Sequence, residues 1–270
     1  MHDAPKPHFS GSQLNMHAMC PEGYRRRYME KEIIPPGIFA LRGTGMHRGA
    51  SANMKQKIES GRDLPAREII DAGIAAFEDE ARGGVMLTSD EAAIGAAKLL
   101  GDTKDDLVAI LDVHARQQAP DYQPILVEEP IRIPLDAPRD LLGVLDLATE
   151  RGVVDFKTAK RSKSQGEADS SVQLTIYAAC FTKRQGHRPD FVQLDTIVQS
   201  KTKTARQVLP SDRDDRDFAA LAARINAVQK AIDAGVFTPA APGAWNCSEK
   251  YCGYYRTCPF VNGGRASQGD

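Results

Sequence analysis

No stretch of this chain approaches the roughly 18 consecutive apolar residues needed to cross a bilayer. Its first residues, Met1-His2-Asp3-Ala4-Pro5-Lys6-Pro7, also lack the apolar centre of a secretory signal. Both absences point to a cytoplasmic protein with no membrane partner. Charge of one sign is lacking too: the net charge is −1 over 270 residues, so no overall positive field draws in a polyanion. Any such contact has to come from local clusters, the candidates being Arg25-Arg26-Arg27, Lys160-Arg161-x-Lys163 and Lys201/Lys203/Arg206. Each of these alone reads as a solvated face. The phosphate-binding pattern G-x-x-x-x-G-K-[S/T] does not occur, so the chain shows no nucleotide-driven motor of its own. Cysteine is sparse, five residues and an odd number, which argues against a disulfide framework in a reducing compartment and for metal or cluster ligation.

What is present describes an ordinary globular chain, 41% hydrophobic and 26% charged, long enough for one large domain or two small ones. Residues 1–9 and 261–270 read as tails. Ser12 is a plausible cap for a helix over 13–20, and a second helix follows Pro21 over 22–31 with Tyr24 and Tyr28 four apart. Gly43-Thr44-Gly45 is expected to open a helix through about Glu59, with His47 in its first turn. Helices over 64–82 and 90–117 follow, which gives a helical insertion at about 60–120. At Pro124 the pattern changes to alternating and β-branched runs at 125–133, 141–149 and 153–158, expected to be three antiparallel strands. A polar loop over 159–170, a helix over 171–184, strands over 190–199 and 206–210 and a long helix over 212–234 complete the pattern. An irregular tail then holds three cysteines. The order suits a single α/β domain over 10–260.

Within the strands, Gly143–Lys157 reads as one hairpin. Asp155 and Lys157 are two apart and share a strand face. A two-residue turn at Glu150-Arg151, closed by Thr149 and Gly152, sets Asp146 opposite Asp155; a bulge at Gly152 would shift that register by one. Two carboxylates and a lysine at the end of a hairpin can hold a divalent metal and handle a proton beside it, although Asp-x-Lys alone equally reads as a charged hairpin edge. Gln173 and Tyr177 fall on one face of the following helix. Cys247-x4-Cys252-x5-Cys258 is compact, with Cys20 far upstream, and four thiolates complete either a tetrahedral zinc site or an iron–sulfur cluster. Cys180, between Ala179 and Phe181 on a helix, reads as plain core.

Taken together, these residues resemble a known family. Ser10-x-Ser12-Gln13-Leu14, Cys20-Pro21-x-x-Tyr24, Gly43-Thr44-x-x-His47, Gly143-x-x-Asp146, Asp155-x-Lys157, Gln173-x-x-x-Tyr177 and the closing cysteine trio occur in the order of the RecB-type branch of the PD-(D/E)XK nuclease superfamily. The pattern is similar to its iron–sulfur members: the AddB nuclease domain, the CRISPR-adaptation exonucleases and phage-encoded relatives. The resemblance implies a restriction-endonuclease-like core, a mixed central sheet flanked by helices, with termini stapled by a cluster. It implies a metal-dependent DNA nuclease, an exonuclease more than an endonuclease, in recombination, repair or phage replication. It would act on single strands or duplex ends, and a helicase or single-strand annealing protein would be a separate partner. By the same resemblance His47, Asp146, Asp155 and the Phe156 carbonyl would hold Mg²⁺ or Mn²⁺. Lys157 would be the catalytic lysine, and Gln173 and Tyr177 would flank the site. Cys20, Cys247, Cys252 and Cys258 would hold a [4Fe-4S] cluster, with Zn²⁺ as the alternative. A catalytically silent or zinc-stabilised DNA-binding or scaffold protein of the same fold is the rival reading. The chain departs from the pattern in three places. Its second acid is Asp rather than the commoner Glu, and the first late cysteines are separated by x4 rather than the x2 of many CRISPR relatives. The upstream helical acid has no clear counterpart, and Glu128 and Glu129 receive no role.

Overall fold

A computed structural model describes residues 6–200 and 202–261. The expected tails over 1–5 and 262–270, and Lys201 of the third basic cluster, lie outside the described residues. The tail expected over 1–9 ends early, because His8–Phe9 forms a short strand, β1, whose Phe9 is fully buried. Burying that ring removes enough apolar surface from water to order a strand too short to be legible by alternation. Ser10 then caps α1 (Gly11–Met19), two residues before the expected cap, its hydroxyl accepting from the Gln13 amide at 3.4 Å. Cys20 caps α2 (Pro21–Tyr24), which runs on into a π-helical turn over Arg25–Met29.

The next helix, α3, spans Ile38–Ser60 and begins five residues before the expected Gly43 start. His47 is therefore well inside α3, not in its first turn. The glycines that suggest a helix start serve close packing instead. A Cβ at Gly45 would lie 2.5 Å from Leu107 and 2.9 Å from the Gly73 carbonyl, so α3 and its neighbours approach closer than any side chain allows. Those neighbours are α4 (Ala66–Arg82), α5 (Ser89–Ile94) and α6 (Ala96–Val113). The single helix expected over 90–117 is broken at Gly95, where φ is +97°, and prolonged by a π-helical turn over His114–Gln118.

The strands follow as β2 (Leu126–Ile133), β3 (Asp140–Ala148) and β4 (Gly152–Ala159). The polar loop after β4 carries a short helix, α7 (Gln165–Asp169); then come α8 (Val172–Gln185), β5 (Phe191–Gln199), β6 (Thr204–Ser211) and α9 (Asp215–Asp233). The sheet is mixed: β2 and β3 are antiparallel, β4 runs parallel to β5, and β6 is antiparallel to β5. One apolar layer joins the sheet to α1, α8 and α9 through Leu14, Leu174, Phe181 and Ile225. The other joins it to α3, α4 and α6 through Met46, Phe77, Leu107 and Phe156.

One detail of the sheet opens a cleft. β3 pairs with β2 from Leu141 to Ala148, so a single edge is left for both β1 and β4. β1 takes it at Asp140–Leu141 and β4 at Leu147–Ala148, and the stretch between them is unpaired on that edge. That stretch carries Gly143 and Asp146. Gly143 has its own reason to be glycine: a Cβ there would lie 2.6 Å from the Cys180 sulfur of α8. Cys180 is fully buried, and burial pushes its thiol up to about 12, as expected of plain core.

Candidate active site

The hairpin turn sets the acids. Thr149 and Gly152 close it, with the Thr149 amide donating to the Gly152 carbonyl at 2.9 Å, and the ladder Leu147↔Val154, Ala148↔Val153 puts Asp146 across from Asp155. No bulge shifts the register. The ladder stops one pair short of the acids because the strands splay there, and the freed Phe156 amide donates to Asp146 Oδ2 at 3.0 Å instead. Asp155 and Lys157 share the face toward α8, and Lys157 Nζ donates to Asp155 Oδ1 at 2.9 Å.

From α8, Gln173 and Tyr177 arrive one helical turn apart. Gln173 Nε2 lies 3.2 Å from Asp155 Oδ1 and 2.8 Å from the Tyr177 oxygen, and the Tyr177 hydroxyl donates to Asp146 Oδ1 at 3.3 Å. The opposite helical layer contributes His47, whose Nδ1 is 3.5 Å from Asp146 Oδ2. The structure thus brings His47, Asp146, Asp155, Lys157, Gln173 and Tyr177 together, with Phe156 between the two acids' strands.

The electrostatics follow from burying two carboxylates side by side. Burial raises the pKa of Asp155 to about 7, and the neighbouring Asp146 adds to the rise while Lys157 opposes it. Asp146 is raised as well, chiefly by burial, against the pull of Lys157. Burial disfavours the Lys157 ammonium, but the charges of Asp155 and Asp146 outweigh it and hold its pKa above the ordinary value. His47 goes the other way: burial, then the Lys157 charge, lower its pKa, which leaves a neutral imidazole with a free lone pair at neutral pH. Asp155 Oδ2 is buried and has no hydrogen-bond partner. An orphaned carboxylate oxygen in a crowd of acids is a state that a divalent cation relieves. Among the described residues, however, no group of three or more His, Cys, Asp or Glu side chains is already closed around a common point.

Sequence reasoning missed Glu128. The β2–β3 register runs from Leu126↔Ala148 to Ile133↔Leu141 and skips one row, in which Glu128 faces Asp146. Glu128 has φ +48°, a left-handed conformation that costs a non-glycine residue about 1 kcal/mol or more. The strand faces change phase at this row: Leu141 and Leu145 pack in the α8 layer, while Leu147, of the same parity, packs in the α3 layer. The Glu128 carboxylate accepts from Ser51 at 2.8 Å and lines one small cleft with His47, Asp146 and Phe156. The signal available was register, since Glu128 aligns with Asp146 once the β2–β3 pairing is known. A strand acid flanked by a second acid and a proline gave no reason to choose it.

Of the cysteines expected to act together, Cys20 and Cys252 line one pocket. Cys20, at the cap of α2, accepts from the Gly23 amide at 3.3 Å. Burial raises the Cys252 thiol pKa, and the charges of Cys20, Cys247 and Cys258 raise it further. Polar contacts hold the same two ends of the chain. Arg26 donates to Thr257 Oγ1 at 2.6 Å and covers the Tyr254 ring at 4.6 Å, and the Tyr254 hydroxyl donates to the Glu32 carbonyl at 2.9 Å. Arg25-Arg26-Arg27 is accordingly no open basic patch: Arg25 pairs with Glu22 and Glu30, and Arg26 with Glu32. Arg206 is likewise taken up by Asp195 and Asp121.

The fold is a mixed central sheet flanked by helices on both faces, with the acid pair at the splayed strands. The family profile of the PD-(D/E)XK nuclease superfamily matches residues 8–259, and the chain belongs to that superfamily. Among solved structures it is similar to a protein from Eubacterium rectale described as a "Putative exonuclease". The two share 10% identity over 97% of this chain and 89% of that one, with a TM-score of 0.51, a likeness of fold alone. A weaker similarity, at TM-score 0.40 and 15% identity, covers 96% of this chain and 88% of the structure of SSO0001. No curated protein matches. No helix among the described residues is long and apolar enough to cross a membrane.

Proposed function

We propose that the chain is a divalent-metal-dependent deoxyribonuclease acting from DNA ends, with Asp146, Asp155 and Lys157 as its working residues. The observation that carries this reading is the meeting of the buried Asp155 carboxylate, with one orphaned oxygen, the half-buried Asp146 carboxylate and Lys157, which donates to Asp155. A phosphodiester is shielded by its own negative charge. Asp146, Asp155, neutral His47 and the Phe156 carbonyl would hold Mg²⁺ or Mn²⁺; hard oxygen donors suit either ion, and the imidazole favours Mn²⁺ competence. When bound, the ion supplies charge neutralisation and lowers the pKa of an attacking water. Lys157 has its ammonium beside Asp155, where it can orient that water and meet the charge that develops on the phosphoryl oxygens. Gln173 and Tyr177 fix the rotamers of the two carboxylates, and Glu128 holds the far side of the cleft through Ser51.

The four cysteines we assign to a [4Fe-4S] cluster, with one Zn²⁺ as the alternative. Thiolate donors, Cys20-Pro21 and Cys258-Pro259 pairs and an irregular late segment support the assignment. A cluster there would be structural, since it ties segments more than 220 positions apart. Metal and sulfide analysis of anaerobically purified protein separates the two. For the reaction, linear and covalently closed circular DNA are incubated with Mn²⁺. Loss of linear DNA alone supports an exonuclease, nicking of circles overturns end dependence, and wild-type rates in Lys157→Ala overturn the centre.

A further inference from the structure

Phe39 lies on α3 eight residues before His47, about 12 Å along the helix axis. Its ring is 50% exposed although it carries the largest apolar surface of that stretch. Cations flank it: the Lys160 ammonium is 4.3 Å from the ring centre and the Arg42 guanidinium 5.4 Å. Arg42 is itself buried, its Nε has no partner, and it meets Asp106 only at 3.6 Å. Lys160 directly follows the end of β4 and stands three residues beyond Lys157. Between Phe39 and His47 on the same helix face is Gly43, where an added Cβ would meet nothing within 4 Å. A lane open at Gly43 therefore runs along this helix face from His47 to an uncovered aromatic ring with cations beside it.

We propose that Phe39 is a stacking platform for an unpaired nucleobase of the strand being cut, with Lys160 binding an adjacent phosphate. The inference rests on the nuclease reading and adds the residue that would select a single-stranded segment leading to the centre. An ammonium over an exposed ring is a weaker partner than a stacked base, so the base displaces Lys160 from the ring and frees its charge for phosphate. A base inside a duplex has both faces covered by its neighbours and cannot use the ring. The 12 Å lane spans roughly three to four nucleotides at stacked spacing.

Binding of fluorescent oligothymidylate and of a hairpin-closed duplex is measured by anisotropy in Ca²⁺, using Lys157→Ala protein to prevent cleavage. Adding Phe39→Ala weakens single-strand binding about tenfold or more and duplex binding about twofold or less, while Phe39→Trp keeps single-strand affinity. Lys160→Gln lowers the slope of log affinity against log salt by about one. Unchanged single-strand affinity in Phe39→Ala, or equal losses on both probes, overturns the platform. Hydrolysis of bis(p-nitrophenyl) phosphate by the wild type with Mn²⁺ reports the centre separately. Its absence alongside Phe39-dependent binding overturns the nuclease reading and leaves the platform standing.

Discussion

The acid–lysine centre and the cysteine centre are built on opposite plans. Around Asp146 and Asp155 every side chain of the candidate site projects from a strand or helix, is buried or half-buried, and has a geometric partner such as the Phe156 amide, Gln173 or Tyr177. Around Cys252 the segments are turns. Cys247, Cys252 and Cys258 are half-exposed, and the late segment leaves Trp245, Tyr251 and Phe260 more than half exposed. The first centre is preorganised by the sheet and two packed helices. The second is held by contacts of Arg26, Tyr254 and Thr257, and the proposed cluster would add to them. A centre on regular elements tolerates the loss of one side chain without losing its shape; a centre on turns does not.

The sharpest break of that comparison removes one residue from each side. Lys157→Ala should lower DNA cleavage about 10³-fold and leave the melting temperature and Mn²⁺ binding nearly unchanged, measured by calorimetry. Cys252→Ser should do the reverse. It should give colourless protein with its melting temperature lowered by roughly 10 °C, the scale of a long loop released in the unfolded chain. Visible absorption persisting in that variant would defeat the cluster assignment. Gln173→Ala tests whether the sheet centre is supported from α8, and should cost about 10- to 100-fold in metal affinity or turnover without unfolding.

Two glycines of α3 sharpen the point about packing. Gly45→Val should destabilise by about 2 kcal/mol or more, since the new side chain meets Leu107 and the Gly73 carbonyl. Gly43→Ala, with open space around it, should be neutral or stabilise by up to about 1 kcal/mol. Chemical denaturation separates the two. A further effect is one of pH. The pKa of Asp155 in the metal-free fold is about 7, above that of an unfolded aspartate, so the folded state binds the extra proton. Metal-free stability should fall as pH rises from about 4 through 7, and saturating Mn²⁺ should flatten that slope because the bound ion keeps the carboxylate ionised. A steeper slope with Mn²⁺ would refute the assignment of Asp155 as a ligand.

Strand content, the α8 pair and the hairpin register were legible because each is a local geometric rule. Alternation puts Asp155 and Lys157 on one face, and a two-residue turn sets Asp146 against Asp155. Helix starts were less legible. Gly43-Thr44-Gly45 looks like a beginning, yet α3 starts at Ile38 and spends Gly45 on contact with α4. Phe9 escaped notice because a two-residue strand has no period to read. Glu128 escaped because its role depends on pairing with β3 and on a left-handed backbone that glutamate rarely adopts.

By itself the sequence determined which chemical groups are available and how neighbours along the chain face one another, since side-chain direction over a few residues follows from backbone dihedrals alone. Only the tertiary structure decided that His47 on α3 meets Asp146, that β3 and β4 splay at the acids, and that Cys20 and Cys252 line one pocket. Those meetings join segments up to more than 220 positions apart. They are selected by the burial and close packing of the whole core, a quantity that no local stretch of residues contains.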